Sequence, residues 1–198
     1  MKAIFPGYEG KFPPGPFSVE EYLHLEEQSK IKHEYVDGYL YALAGVSKRH
    51  NLINLNLYTL LRPASIIQNC HLFVAEVKLH LRLGRKRFFY YPDLVVVCDQ
   101  EDRNPLWVER PCLIAEVSSP STARIDRFEK FFIYTQIPSL KEYLILSQDR
   151  PEVLVYRRSR DWDEELYTDL EDQVRLECLN MQIKLSELYA NLPPAEEG

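Results

Sequence analysis

The sequence predicts an α/β (α+β) domain with a mixed central sheet flanked by helices, on three observations. Residues 71–83 alternate apolar and polar side chains, which is typical of a half-buried strand. Residues 88–98 are almost continuously apolar, which indicates a central strand covered on both faces. Between residues 113 and 147 a strand, a helix and a strand follow one another, an order that implies a right-handed crossover and two parallel strands.

The first part of the chain carries signals for two helices and a hairpin. Ser18 and Glu21 form a capping-box pattern for one helix, and Ser47 caps another. Asp37-Gly38 is a strong turn signal between two short strands. The predicted bounds are residues 18–28 and 47–63 for the helices, the second ending at a proline, and residues 33–37 and 39–44 for the strands.

The last part of the chain is predicted to complete the sheet with antiparallel strands and to end in a short helix. After the crossover strand at residues 141–147, the predicted strands are residues 153–157, 165–168 and 174–179, and the helix is residues 185–189.

The chain has 198 residues, enough for one domain with a substantial core. Residues 18–191 are predicted to form that single domain. Residues 1–17, with four of the 13 prolines, are predicted to be an extended arm, and residues 192–198 a flexible tail. The start lacks the pattern of a signal peptide and no apolar run reaches membrane-spanning length, so the expected location is the cytoplasm, without membrane contact.

The formal net charge of −6 argues against a protein that coats nucleic acid through a broad basic surface. It does not exclude a nuclease, because active-site carboxylates contribute to the acidic count and the basic groups can be local. Such groups occur at residues 48–50, 82 with 85–87, and 124, 127 and 130, although each is more commonly a solvated surface cluster.

The four cysteines are Cys70, Cys98, Cys112 and Cys178. They are scattered along the chain, and none pair at the spacing of a zinc knuckle or a redox motif. The sequence therefore predicts buried, reduced thiols.

Two acids stand out because each interrupts an apolar run. Asp93 lies in YYPDLVVVC and Glu116 in CLIAEVSSP. An ionised carboxylate in such a strand is costly to bury unless it is paired or bound to a cation. Consecutive strands are usually neighbours, so the two acids can converge on one ion, although an edge position hydrogen-bonded to a turn explains Asp93 alone equally well.

Glu34 and Lys130 are further candidates. Glu34 begins the hairpin and can approach the same point, or it is a surface glutamate beside Lys32. Lys130 follows Glu116 on the next helix, with Asp126 and Tyr134 four residues to either side on one face. That face can overlook the strand ends, or Lys130 is a solvated helix residue paired with Asp126.

Several stretches of the chain, taken in order, resemble the Uma-two-type restriction endonucleases of the PD-(D/E)xK nuclease superfamily. The resemblance rests on EYVDGYLYALAG, His50 on the next helix, YYPDLVVV, LIAEVSSPSTARIDRFEKFFIYTQIPSLKEYLIL and VLVYRR, and spans residues 18 to 190. It implies a restriction-endonuclease-like fold and a metal-dependent endonuclease that hydrolyses phosphodiester bonds of nucleic acid, with DNA as the expected partner.

The resemblance also implies roles for individual residues. Asp93 and Glu116 are the implied metal ligands, with Glu34 as a third acid, for Mg²⁺ (or Mn²⁺). Superfamily members usually carry a lysine two residues after the glutamate, where this chain has Ser118. Lys130 on the following helix is the implied substitute, which makes Asp93, Glu116, Lys130 and Glu34 the predicted catalytic set; His50 is a further candidate.

Two other readings stay open at this point. The chain can keep a nuclease fold without cleavage and act as a binding or structural subunit, since fold does not guarantee activity. The 13 tyrosines also suit an oligomer interface. A homodimer is expected, because nucleases that cut both strands of a duplex are often two-fold symmetric.

Overall fold

The computed structural model describes residues 15–195 of the chain. The helices in this range are α1 Val19–Gln28, α2 Lys48–Ile67, α3 Phe131–Tyr134 and α4 Leu185–Leu188; a π-helical segment Ile125–Lys130 leads into α3, and Arg158–Arg160 form a 3-10 turn. None of these helices combines the length and apolar character needed to cross a membrane. Residues 1–14 of the predicted arm and 196–198 of the predicted tail lie outside the described residues.

The strands, in chain order, are β1 His33–Val36, β2 Tyr39–Ala42, β3 His71–Val74, β4 Lys78–Leu83, β5 Lys86–Tyr90, β6 Leu94–Val97, β7 Trp107–Val108, β8 Leu113–Ser118, β9 Glu142–Ser147, β10 Val153–Arg157, β11 Glu164–Tyr167, β12 Gln173–Leu176 and β13 Met181–Lys184. A six-stranded sheet has the order β11-β10-β9-β8-β6-β3, a five-stranded sheet the order β2-β1-β5-β4-β7, and β12 pairs with β13.

The six-stranded sheet is mixed, as predicted. Strands β8 and β9 are parallel and are joined through the helical segment, whereas the other neighbours in this sheet are antiparallel. Side chains alternate between two apolar clusters: Leu94 and Val96 pack on the side of α2, and Val95 and Val97 pack on the side of β4 and β5. Both faces are therefore covered, which explains the continuous apolar run and confirms the α+β class.

Two long strands predicted from hydrophobicity are wrong in one respect: each is divided between the two sheets. The first breaks at Ala75, whose φ of 52° turns the chain from β3 into β4. The second breaks at residues 91–93, between β5 and β6, where Pro92 cannot donate to a ladder. The breaks are adjacent, since the Ala75 N–H donates to the Asp93 carbonyl at 3.1 Å. Asp93 therefore lies where the two sheets separate.

Two smaller predictions are also corrected. Helix α2 continues past Pro63 to Ile67, because a proline removes only one backbone donor while Leu57 and Leu61 remain fully buried in the core. The predicted last strand does not complete the main sheet; β12 and β13 form a separate hairpin. The capping box at Ser18 and the Asp37-Gly38 turn are confirmed.

The cysteines differ from the prediction in their pairing, although three of them, Cys70, Cys112 and Cys178, are buried as expected. The structure joins Cys70 to Cys98 and Cys112 to Cys178 as disulfides. Sequence spacing could not reveal this, because the paired residues are 28 and 66 positions apart and meet only when the strands associate.

Candidate active site

Asp93 is held at the start of β6 by contacts from three elements. Its Oδ2 accepts a hydrogen bond from the backbone N–H of Val117 in β8 at 2.7 Å. Its Oδ1 lies 2.9 Å from Nε2 of His50 on α2, and its backbone carbonyl accepts from the Asn54 side chain on the same helix at 2.9 Å. These contacts fix the carboxylate against the neighbouring strand, with a side chain that is 17% exposed.

Glu116 lies beside Asp93, because the β6–β8 pairing aligns Leu94 with Ala115 and brings the next residues opposite each other. Glu116 Oε2 accepts from the backbone N–H of Asp93 at 3.3 Å. Its Oε1 accepts from Lys130 Nζ and from the Tyr134 hydroxyl, each at 2.9 Å. Each acid therefore accepts a hydrogen bond from the backbone beside the other: Glu116 from the N–H of Asp93, and Asp93 from the N–H of Val117.

Lys130 is buried rather than solvated, with 8% of its surface exposed. Its ammonium lies 2.9 Å from Glu116, 3.4 Å from Glu34 and 3.6 Å from Asp126. It also lies 5.8 Å from the centre of the Tyr90 ring, within range of a cation–π contact. The lysine is carried at the end of the π-helical segment, a feature that is frequent at functional sites.

Glu34 reaches this cluster from the other sheet. It is carried by β1, it is buried, and its Oε1 accepts weakly from the Tyr91 backbone N–H at 3.4 Å. Its link to Glu116 runs through Lys130, which pairs with both carboxylates. The five-stranded sheet thus contributes one acid, the six-stranded sheet contributes two, and the lysine joins them.

The electrostatics of the site follow from burial and from crowding of like charges. Burial raises the pKa of Glu116 to about 8; the Lys130 ammonium opposes this, and the nearby carboxylates of Asp93, Asp126 and Glu34 reinforce it. Burial alone would lower the pKa of Lys130, but Glu116, Glu34 and Asp126 outweigh it and raise that pKa well above its ordinary value. The site therefore contains more carboxyl groups than the single Lys130 ammonium can neutralise.

A divalent cation suits this surplus of negative charge. Oxygen donors of this type are the ligands that Mg²⁺ and Mn²⁺ prefer, and Mg²⁺ typically takes one or two carboxylates and keeps several waters. Asp93 and Glu116 supply two carboxylates at adjacent positions of the β6–β8 pairing. Within residues 15–195, the acids and histidine of this site do not place three ligand atoms within 4.8 Å of one another.

Comparison with known families identifies the family to which the chain belongs. Residues 19–187 match the sequence profile of the Uma2 family, described as "Putative restriction endonuclease". The chain belongs to the Uma2 family. The match covers the whole predicted domain apart from its first and last few residues, and it confirms the resemblance inferred from the motifs.

Similar proteins cover between 73% and 91% of this chain. The uncharacterized protein slr1290 of Synechocystis sp. is 34% identical over 185 residues, which are 91% of this chain and 96% of that protein. The uncharacterized protein sll1609 of the same organism is 35% identical over 150 residues, or 73% and 84% of the two chains. A crystal structure of "a putative nuclease belonging to DUF820" from Anabaena variabilis ATCC 29413 superposes with a TM-score of 0.71 at 16% identity, covering 88% of this chain and 98% of that one, which shows a shared fold.

The structure of this Uma2 chain brings the sequence-predicted residues together, and it adds neighbours that the sequence reading did not select. Glu34, Asp93, Glu116 and Lys130 form one contact network, and His50 joins it through Asp93. The residues not selected are Asn54, Tyr91, Asp126 and Tyr134. Helical spacing already grouped Asp126 and Tyr134 with Lys130, but nothing in the sequence distinguished these side chains, or that of Asn54, from ordinary helix residues.

Glu116 predicts a specific pH dependence for the metal-free Uma2 protein. The folded-state pKa of about 8 lies above the ordinary value of 4.5, so the folded state binds the proton more tightly than the unfolded state. The contribution of Glu116 to stability is therefore complete below pH 4.5 and is lost as the pH rises through about 8. Urea unfolding in EDTA across this range should show wild-type stability falling more steeply than that of Glu116→Gln. Parallel pH profiles for the two proteins would contradict the assignment.

Proposed function

We propose that this protein is a divalent-metal-dependent endonuclease that hydrolyses phosphodiester bonds, with DNA as its substrate. The observation that carries the proposal is the adjacency of Asp93 and Glu116 across β6 and β8, with the Lys130 ammonium 2.9 Å from Glu116. Membership of a family described as "Putative restriction endonuclease" supports the reaction class.

The metal would be held by Asp93 and Glu116, with Glu34 as a further candidate ligand, and Mg²⁺ or Mn²⁺ fits these donors. When bound, such an ion supplies Lewis acidity toward a phosphate oxygen and lowers the pKa of a coordinated water. Glu34 lies near the pair through Lys130, whose ammonium contacts both Glu34 and Glu116.

The protein's own groups position the charges that the reaction needs. Lys130 places a cation beside the acids, where it can orient the attacking water or stabilise negative charge that develops on the phosphate. Tyr134 holds Glu116 Oε1 in place, and His50 holds Asp93 Oδ1. Ser118, at the position where the superfamily usually has lysine, carries no charge, so Lys130 supplies the ammonium from the helix.

The cleavage test uses single-stranded, duplex, branched and RNA substrates, with Mg²⁺, with Mn²⁺ and with EDTA. Each assay is run at stated salt concentrations, because phosphate binding depends steeply on salt. Metal-dependent internal cleavage of at least one DNA form is the expected result. Binding without cleavage under every condition would favour the rival, an inactive nuclease-fold protein acting as a binding or structural subunit.

The biological setting is part of the same proposal. A homodimer would place two sites on the two strands of a duplex, as two-fold symmetry requires, and the expected location is the cytoplasm. Light scattering at several protein concentrations, with and without duplex DNA, tests the stoichiometry. A monomer that nicks one strand would support the proposed chemistry and contradict the proposed homodimer.

A further inference from the structure

All four cysteines of the chain meet at one end of the six-stranded sheet. Cys70 directly precedes β3, Cys98 follows β6, Cys112 precedes β8, and Cys178 lies in the turn between β12 and β13. Because β3 and β8 are both antiparallel to β6, the start of each lies beside the end of β6. Four separate segments therefore deliver sulfur to one place.

The two sulfur pairs are also in contact with each other. Cys98 Sγ lies 3.4 Å from Cys112 Sγ and 3.9 Å from Cys178 Sγ, while the disulfides join Cys98 to Cys70 and Cys112 to Cys178. Two independent disulfides have no need to touch. In a tetrahedral zinc site with Zn–S bonds of about 2.3 Å, sulfur atoms are about 3.8 Å apart, close to both of these distances.

The sulfur set is distinctive among the potential metal ligands of the chain. Within the part of the chain that the structure describes, Cys98, Cys112 and Cys178 alone bring three histidine, cysteine or acidic ligand atoms within 4.8 Å of one another. Cys70, Cys112 and Cys178 are nearly fully buried among apolar side chains. Four thiolates in tetrahedral array select zinc or an iron–sulfur centre rather than Mg²⁺ or Mn²⁺.

We infer that the reduced protein binds one Zn²⁺ through the thiolates of Cys70, Cys98, Cys112 and Cys178. Opening the two disulfides takes four electrons from two equivalents of a phosphine reductant, which leave as phosphine oxide; two waters supply that oxygen and the four protons, and four thiols result. Zinc binding then releases four protons, because each ligand coordinates as the thiolate. The disulfide pairs and the zinc site are alternative states of the same four residues.

The zinc site is structural and separate from the proposed nuclease site. Four protein ligands leave no open position for water or substrate. Asp93 and Cys98 lie at opposite ends of β6, and Cys112 and Glu116 lie toward opposite ends of β8. Bound zinc would join the end of α2, two central strands and the β12–β13 hairpin, whether or not the protein cleaves DNA.

The test is metal analysis of the full-length protein, expressed in a reducing cytoplasm and purified with a phosphine reductant. About one zinc per chain is expected by mass spectrometry, with four titratable thiols after denaturation in EDTA. Exchange for Co²⁺ should produce the visible bands of tetrahedral cobalt and a thiolate-to-cobalt charge-transfer band. Four thiols without zinc uptake or cobalt bands would overturn the inference, as would iron in place of zinc.

Two variants locate the metal. Cys178→Ser removes one ligand and should weaken zinc binding at least about 100-fold, since losing even an outer-sphere partner of a metal ligand costs 10–100-fold. Asp93→Asn is the matched control and should keep its zinc and its cobalt spectrum. Unchanged zinc affinity in Cys178→Ser would overturn the assignment; if that variant fails to fold, the cobalt spectrum of the wild-type protein decides.

Discussion

Replacing Asp93 with asparagine is expected to reduce metal-dependent cleavage by about 1,000-fold or more while the protein stays folded. The substitution removes a charge from the proposed metal pair, and metal stabilisation of a transition state is worth several kcal/mol, at about 1.4 kcal/mol for each factor of ten. Asparagine keeps an oxygen that can accept from the Val117 N–H, so the strand junction should persist. Initial rates with saturating Mg²⁺ measure the effect.

A thermal shift separates loss of metal from loss of chemistry. Metal at about 100 times its dissociation constant stabilises the folded state by about 2.7 kcal/mol. For a chain of this size that raises Tm by roughly 5–10 °C. The shift should occur in the wild-type protein and in the exposed control Asp163→Asn, and it should vanish in Asp93→Asn. Full cleavage or an undiminished shift in Asp93→Asn would remove Asp93 from the metal site.

Lys130→Met is expected to destabilise the protein by about 3–5 kcal/mol, the usual cost of removing one partner from a buried charge pair. The lysine pairs with Glu116, Glu34 and Asp126, and all three acids are buried. Without it, their mutual repulsion has no internal counter-charge. Chemical denaturation above pH 8, where Glu116 is ionised in the wild-type protein, measures the loss, and cleavage should fall as well because the proposed ammonium is gone.

A double variant distinguishes the structural role of Lys130 from its proposed role in catalysis. Lys130→Met combined with Glu116→Gln removes one of the orphaned charges and should recover part of the lost stability, but no cleavage. Lys141→Met, at an exposed lysine, should change stability by no more than about 0.5 kcal/mol. A Lys130→Met protein as stable as the wild type would show that the ion-pair network does not form in solution.

Much of the candidate site could be predicted because an isolated acid in an apolar strand is conspicuous. Asp93 and Glu116 were identified in this way, and the register of β6 and β8 accounts for their meeting. From the sequence alone, Lys130 and Glu34 can also be interpreted as ordinary solvated surface residues. Resemblance to the family singled them out, and the structure then placed both in one buried network.

The division of the sheet could not be predicted for a physical reason. Hydrophobic alternation reports burial, and residues 88–97 are buried on both sides of the break at Pro92, so the pattern continues while the chain passes from one sheet to the other. A positive φ at Ala75 has no sequence signal, since alanine rarely adopts it. Tertiary packing of the two sheets imposes both breaks.

The sequence by itself determined the α+β class, the helices and short strands with strong local signals, and the two acids whose burial demands a counter-charge. These properties depend on neighbours along the chain, or on one residue that contradicts its surroundings. Only the tertiary structure decided which strands share a sheet, which cation meets Glu116 and where the four sulfur atoms converge. Those contacts join residues far apart in the chain, and their energies come from packing and desolvation that no local pattern records.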